Sequence, residues 1–184
     1  MRIAGIEPES LVDGPGLRYV IFAQGCRHQC PHCHNPESWD LNGGKEIAVR
    51  QVIRTLKKQK QTKRGVTFSG GEPFLQTAEL AEVAQAAHQM GWDVVTYTGF
   101  TYEELEKLIK GGNSGVQALL SASDILIDGR YIHKLRSVKL QFRGSSNQRM
   151  IDIAATQKNG RIVLWDEPTA PLPQRAALLP EREQ

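Results

Sequence analysis

Strand and helix patterns alternate along this chain, and that alternation is the strongest constraint on its fold. Arg18-Tyr19-Val20-Ile21-Phe22-Ala23 is rich in β-branched and aromatic residues and reads as the first strand. Ile47 to Lys60 reads as a helix, with Ile47, Val52, Ile53 and Leu56 on one stripe. Its basic end, Lys57, Lys58 and Lys60, suits the helix dipole. Val66-Thr67-Phe68 is a short strand, Thr77 to Met90 a helix stopped at Gly91, and Trp92 to Tyr97 another strand. Thr101 to Ile109 is a third helix, opened by the capping-box spacing of Thr101 and Glu104. Val116 to Ser121 adds one helical turn and Ile125-Leu126-Ile127 a strand, while Val138 to Phe142, Ile151 to Ala154 and Arg161 to Trp165 are weaker strand patterns. This order predicts βαβ units and a mostly parallel sheet. A closed (β/α)₈ barrel takes about 250 residues, and at least about 200; the chain has 184. The expected fold is therefore α/β, an open partial (β/α) barrel.

Residues 1–165 read as one domain and 166–184 as a Pro-containing tail, because Glu167-Pro168-Thr169-Ala170-Pro171-Leu172-Pro173 does not continue regular structure easily. A net charge of +3 is too small to argue for nucleic acid. No apolar run approaches the roughly 20 residues of a membrane span, and the N-terminus lacks the apolar stretch of a signal peptide. The expectation is a cytoplasmic protein with no nucleic-acid or membrane partner.

All three cysteines fall in one loop just after the first strand, spaced Cys26-x₃-Cys30-x₂-Cys33. An odd, tightly clustered set makes a poor disulfide framework and points to metal chemistry. Three close thiolates suit three irons of a cubane cluster, leaving the fourth iron for a non-protein ligand. His28, His32 and His34 lie among the cysteines, so spacing alone also leaves a zinc site open. A reactive thiol is the third alternative. Downstream, Ser69-Gly70-Gly71-Glu72-Pro73 follows a strand. Its glycines permit close backbone approach to a ligand, and Glu72 offers acceptors for a cationic amino group. Alone it reads as an ordinary strand-to-helix turn.

The two motifs in this order resemble the radical S-adenosylmethionine superfamily, in which a cysteine loop precedes a Gly-Gly-Glu-Pro turn. Val12-Asp13-Gly14-Pro15-Gly16-Leu17-Arg18 and the Cys33-His34-Asn35-Pro36 ending resemble its glycyl-radical-enzyme activases. Asp128-Gly129-Arg130-Tyr131 and Phe142 to Arg149 narrow this to the activases of anaerobic ribonucleoside-triphosphate reductase. The resemblance runs from about Met1 to Ile153.

It implies that residues 1–165 form a catalytic domain. Cys26, Cys30 and Cys33 would bind one [4Fe–4S] cluster, and Gly70, Gly71 and Glu72 the amino group of S-adenosylmethionine. His32, before the third cysteine, would lie near the adenine; Asn35 counts with the cofactor residues. Thr96, Thr98 and Arg130 are read as further cofactor contacts from their places at strand ends, Arg130 as a fork for the ligand carboxylate, with a helix cap or surface ion pair as the plainer alternatives. Asp13 and Arg18 are read as catalytic residues shaping the entry of the substrate glycine. The implied reaction is reductive cleavage of S-adenosylmethionine to methionine and a 5′-deoxyadenosyl radical, which takes a hydrogen atom from a glycine Cα of a partner. That partner would be the large subunit of anaerobic ribonucleotide reductase, and the electron donor a flavodoxin-like protein. A radical enzyme acting on a small molecule, as in deazaguanine synthesis, and a non-catalytic zinc module are the competing readings.

Overall fold

Seven strands form one sheet in the order β3-β1-β2-β4-β5-β6-β7 in the computed structural model, which describes residues 1–59 and 65–165. The strands are β1 (Arg2–Ser10), β2 (Arg18–Ala23), β3 (Lys45–Glu46), β4 (Gly65–Gly70), β5 (Asp93–Tyr97), β6 (Ile125–Asp128) and β7 (Arg149–Asp152). The four central strands, β2, β4, β5 and β6, are parallel neighbours. Antiparallel pairings add β1 and β3 on one side and β7 on the other. Five strands thus run one way, and β3 and β7 stand at the two ends of the sheet without pairing to each other. The mostly parallel, unclosed α/β sheet expected from the sequence is the fold observed.

Helices α1 (Val49–Lys58), α2 (Thr77–Gln89), α3 (Tyr102–Lys110), α4 (Ser114–Ser121) and α5 (Ile153–Asn159) complete the architecture. In α2 the apolar stripe Leu80, Val83, Ala84 and Ala87 is buried in the main core with Phe68, Val94 and Leu126 of the sheet. Burying a leucine such as Leu80 contributes about 1.5–3 kcal/mol. Gly91, at φ +77°, terminates this helix where a side chain would be strained. Thr101 and Glu104 form the expected capping box at the start of α3.

Some expectations are revised. The first strand is β1, hidden in the sequence by Gly5 and Pro8; its pairing with β2 is irregular between Glu7 and Ser10, around that proline. Val138 to Phe142 is a run of turns and bends, Ile151 to Ala154 divides between β7 and α5, and Arg161 to Trp165 makes a single bridge, Leu164 to Ile151. The helical turn at Val116 is a full helix, α4, whose start Asn113 caps by accepting from Val116 N–H. Lys60 and the tail from Asp166 lie outside the described residues.

Strand alternation gives the sheet two different faces. The helix side carries Tyr19, Ile21, Val66, Phe68 and Val94, and the concave side carries Val95, Ile127 and Tyr97. Arg18 lies at the N-terminal end of β2 and is fully buried. Its Nε donates to Thr67 Oγ1 at 2.7 Å, Nη2 to Val66 O at 2.7 Å, and Nη1 to Pro15 O at 3.1 Å and to the Asp93 carboxylate. This guanidinium is therefore a structural floor beneath the parallel strands. Arg18, read from the sequence as a catalytic residue, thus stands at the end of β2 opposite the strand C-termini. Arg149 makes a second clamp. It reaches Glu103 Oε2 at 2.8 Å and, through Nε, Asp128 Oδ1 at 3.0 Å, while Asp128 also accepts from Tyr102 N–H.

Two outcomes are expected. Arg18→Met removes the guanidinium from the nearly buried Asp93 and costs roughly 3–5 kcal/mol, measured as a lowered urea midpoint. The hydrogen bonds from Arg149 hold the Glu103 carboxyl down to about 2 from its usual 4.5. The unfolded chain then takes up the proton first, so this pair's stabilisation is complete above pH 4.5 and is lost as pH falls towards 2. Glu103 is half exposed, which limits the contribution to about 1 kcal/mol or less; Glu103→Gln should remove that part of the acid slope in pH-dependent urea unfolding.

Candidate functional site

The loops after β2, β4, β5 and β6 all leave the sheet from the same end, as parallel strands require. Together with the Leu11–Asp13 segment and residues 140–148 they line one cleft of about 840 Å³. Ligands of parallel α/β sheets gather at this end.

Cys26, Cys30 and Cys33 are all free thiols facing this cleft. Gly25 N–H donates to Ser38 O and Cys26 N–H to Trp39 O, so the loop is anchored by the short 3₁₀ turn at Pro36–Ser38. Burial pushes the Cys26 and Cys30 thiols up, and backbone N–H groups of His28 and Tyr131 partly offset this. Asn35 N–H points at Cys33 Sγ, 3.4 Å away. Three thiols in one pocket, each approached by a backbone N–H, are a donor set that fits an iron–sulfur cluster, whose potential is tuned by such bonds. Among the described residues no three His, Cys, Asp or Glu side chains are gathered about a single ion-sized point.

The glycine turn packs against this loop rather than only against the cleft. Gly71 N–H donates to Ala23 O and Glu72 N–H to Gly25 O, both at 2.8 Å. A Cβ at Gly71 would lie 2.4 Å from Gly25 O. Gly70, at φ +88°, would place one 2.7 Å from Phe22 Cα. The paired glycines are thus demanded by the approach of two backbones.

Glu72 is 1% exposed and does not line the cleft. Its Oε1 accepts from Phe74 N–H at 3.0 Å and Thr98 Oγ1 at 2.9 Å, and its Oε2 from Gly99 N–H at 2.8 Å and His28 Nε2 at 2.9 Å. All its acceptor directions are taken by the protein. Read from the sequence as an acceptor for a ligand amine, Glu72 is placed by the structure as the post to which three segments are tied, while Gly70 and Gly71 lie on the cleft.

Other expected residues separate in the same way. Asp13 and Asn35 line the cleft, and so does Thr98, though its hydroxyl is spent on Glu72 and on Phe100 N–H. Thr96 is turned to the helix side and bonds Ser123 Oγ at 2.7 Å, because strand alternation gives the cleft to Tyr97. His32 sits exposed at φ +60°, its ring 4.2 Å from that of His133 and outside the lining. Arg130 is exposed and also off the lining, although its charge favours the Cys30 thiolate. Arg143 faces the cleft in its place, with a buried Nε that has no partner and one 3.4 Å bond from Nη1 to Gln148 O. The sequence signal for it was the two-arginine loop itself, which gave no hint of which arginine turns inwards. Tyr97 and Tyr131 were missed as well. Tyr97 donates to Phe142 O at 2.7 Å, and burial pushes its phenol up; Tyr131 stacks on His34 at 4.7 Å.

A family model described as a 4Fe-4S single cluster domain matches residues 12–151. The anaerobic ribonucleoside-triphosphate reductase-activating protein of Vibrio cholerae serotype O1 is 34% identical over 149 residues, 77% of this chain and 91% of that protein. The chain belongs to the radical S-adenosylmethionine activases. The activating protein of the same name from Escherichia coli strain K12 is 30% identical over 77% of this chain and 92% of its own length. A pyruvate formate-lyase-activating enzyme of Clostridium pasteurianum is 40% identical over 59% of this chain, which spans about half, 48%, of that relative. A [4Fe–4S] cluster and S-adenosylmethionine are the cofactors of this family, and the cysteine loop and the Gly70-Gly71 turn both lie within the matched residues.

Glu72→Gln would set an amide N–H₂ against one of the buried donors. It is expected to destabilise the fold by about 1–3 kcal/mol, read as a lowered thermal unfolding midpoint of the cluster-free protein.

Proposed function

We propose that this chain activates a glycyl radical enzyme, most directly the large subunit of an anaerobic ribonucleotide reductase, by reductive cleavage of S-adenosylmethionine. The observation that carries this reading is the meeting of two motifs. Three free thiols and the Gly70-Gly71 turn share one cleft at the strand C-termini, with the two loops locked together by backbone bonds and Glu72. The names and coverage of the two reductase-activating relatives favour that partner over pyruvate formate-lyase.

In this reading Cys26, Cys30 and Cys33 are the protein ligands of the cluster, which supplies one low-potential electron to the sulfonium when bound. The chain's own residues do the rest by position. Gly70 and Gly71 offer backbone to the amino group, and the guanidinium of Arg143, a lining residue, suits the carboxylate better than Arg130, which is off the lining. Asp13 stands across the cleft, its backbone carbonyl held by Thr67 Oγ1 at 2.8 Å and its carboxylate by Ser10. Beside it Leu11 and Val12 are 69% and 76% exposed on the lining, an apolar lip for a glycine-bearing loop of the partner. The catalytic unit is residues 1–165, the donor a flavodoxin-like protein, and the location cytoplasmic. Among the described residues no helix is long and apolar enough to cross a membrane.

The test is anaerobic reconstitution with iron and sulfide, reduction, and assay of 5′-deoxyadenosine with and without the purified reductase. Nucleoside formation coupled to a glycyl radical signal on the reductase is the expected result; zinc binding without acid-labile sulfide would sink the reading. Cys30→Ala should abolish both bound sulfide and 5′-deoxyadenosine formation, measured by iron and sulfide analysis beside the nucleoside assay.

A further inference from the structure

One side chain of the cysteine loop is neither a thiol nor exposed. His28 lies midway between Cys26 and Cys30, flanked by the exposed Arg27 and Gln29, yet its own side chain is only 8% exposed. The ring meets Phe100 edge-on at 4.6 Å and 75°. It also fills the space over Gly99 so fully that a Cβ there would lie 2.3 Å from its Cδ2. A carboxylate only accepts, so Nε2 carries the hydrogen in the 2.9 Å bond to Glu72 Oε2. The residue lies two positions from Cys26 and two from Cys30. His28 therefore joins the loop that carries the proposed cluster ligands to the post of the glycine turn through its side chain.

We propose that His28 is a positioning residue whose hydrogen bond to Glu72 sets the cysteine loop in register with the Gly70-Gly71 turn. This places the cluster and the amino acid end of S-adenosylmethionine at the spacing the cleft needs. The inference rests on the function proposed above. Its distinctive consequence is a separation of effects. The backbone bonds from Gly71 to Ala23 and from Glu72 to Gly25 do not involve His28, and neither do the thiols themselves. Removing the imidazole donor leaves the thiols in place and loosens the register between the two loops; because the His28 ring also lines the cleft, the glutamine variant separates loss of the donor from a change of the lining. Partners one layer behind metal ligands commonly matter by about 10-fold to 100-fold.

The experiment compares wild type, His28→Leu and His28→Gln after anaerobic reconstitution. Leucine keeps bulk without a donor; glutamine restores an N–H within reach of Glu72. Iron and sulfide per chain, the Kd for S-adenosylmethionine, and the change that S-adenosylmethionine causes in the electron paramagnetic resonance spectrum of the reduced cluster are measured in each. The expected result is wild-type iron and sulfide in both variants. In His28→Leu the Kd should rise about 10-fold or more and the spectral change shrink, with recovery of most of both in His28→Gln. An unchanged Kd and spectrum in His28→Leu would overturn the inference, as would equal weakening in His28→Gln or loss of the cluster in both variants. In those three cases wild-type binding would leave the proposed function standing. A wild-type protein that takes up a cluster and fails to bind S-adenosylmethionine would defeat both.

Discussion

The carboxylate of Glu72 is the interaction on which the arrangement of the cleft depends. A buried carboxylate is costly unless its oxygens are satisfied, and a single charge with several well-placed donors is the way a fold makes it stable. Here the donors come from the cysteine loop, from the turn that follows Glu72, and from the end of β5. Tied to one group, they hold a common geometry without a continuous strand or helix to impose it.

The floor of the same structure is electrostatic too, and it is built differently. Arg18 spends its guanidinium on three backbone carbonyls, a threonine and the Asp93 carboxylate, all towards the N-terminal end of the strands. Gly14 lies so close that a side chain there would meet Arg18 Cδ at 2.8 Å. One buried charge therefore closes the concave side from below, while another organises its upper rim. Stability and binding are placed at opposite ends of the sheet, as is common where parallel strands carry a site.

Much of this was legible in the residues, for reasons that also explain the gaps. Strand and helix periods exposed the four parallel strands, and the cysteine spacing with Gly70-Gly71 pointed to two loops that do meet at one cleft. β1 was hidden because Gly5 and Pro8 break the strand pattern, and an irregular pairing beside β2 absorbs them. Thr96 and Arg18 were assigned to the site from their segments alone, whereas strand alternation and strand direction decide which way and at which end a side chain faces. That Glu72 gathers four donors was not legible, because a sequence shows a carboxylate but not the donors that the fold brings to it. His28, among three loop histidines, carries no local sign that it is the one turned inwards. Only Phe100, Gly99 and Glu72, more than forty residues away, select it.

The near-contact of Gly71 with the Gly25 carbonyl has a consequence for how this protein can vary. Two stretches of chain far apart in sequence occupy the same space down to the radius of one methyl group. Gly71 cannot acquire a side chain unless the Gly25 segment withdraws, and withdrawal would move the thiols. The two segments therefore act as a single mechanical part, like the halves of a hinge cut to one another. A chimera that takes its cysteine loop from one relative and its glycine turn from another must match them as a pair.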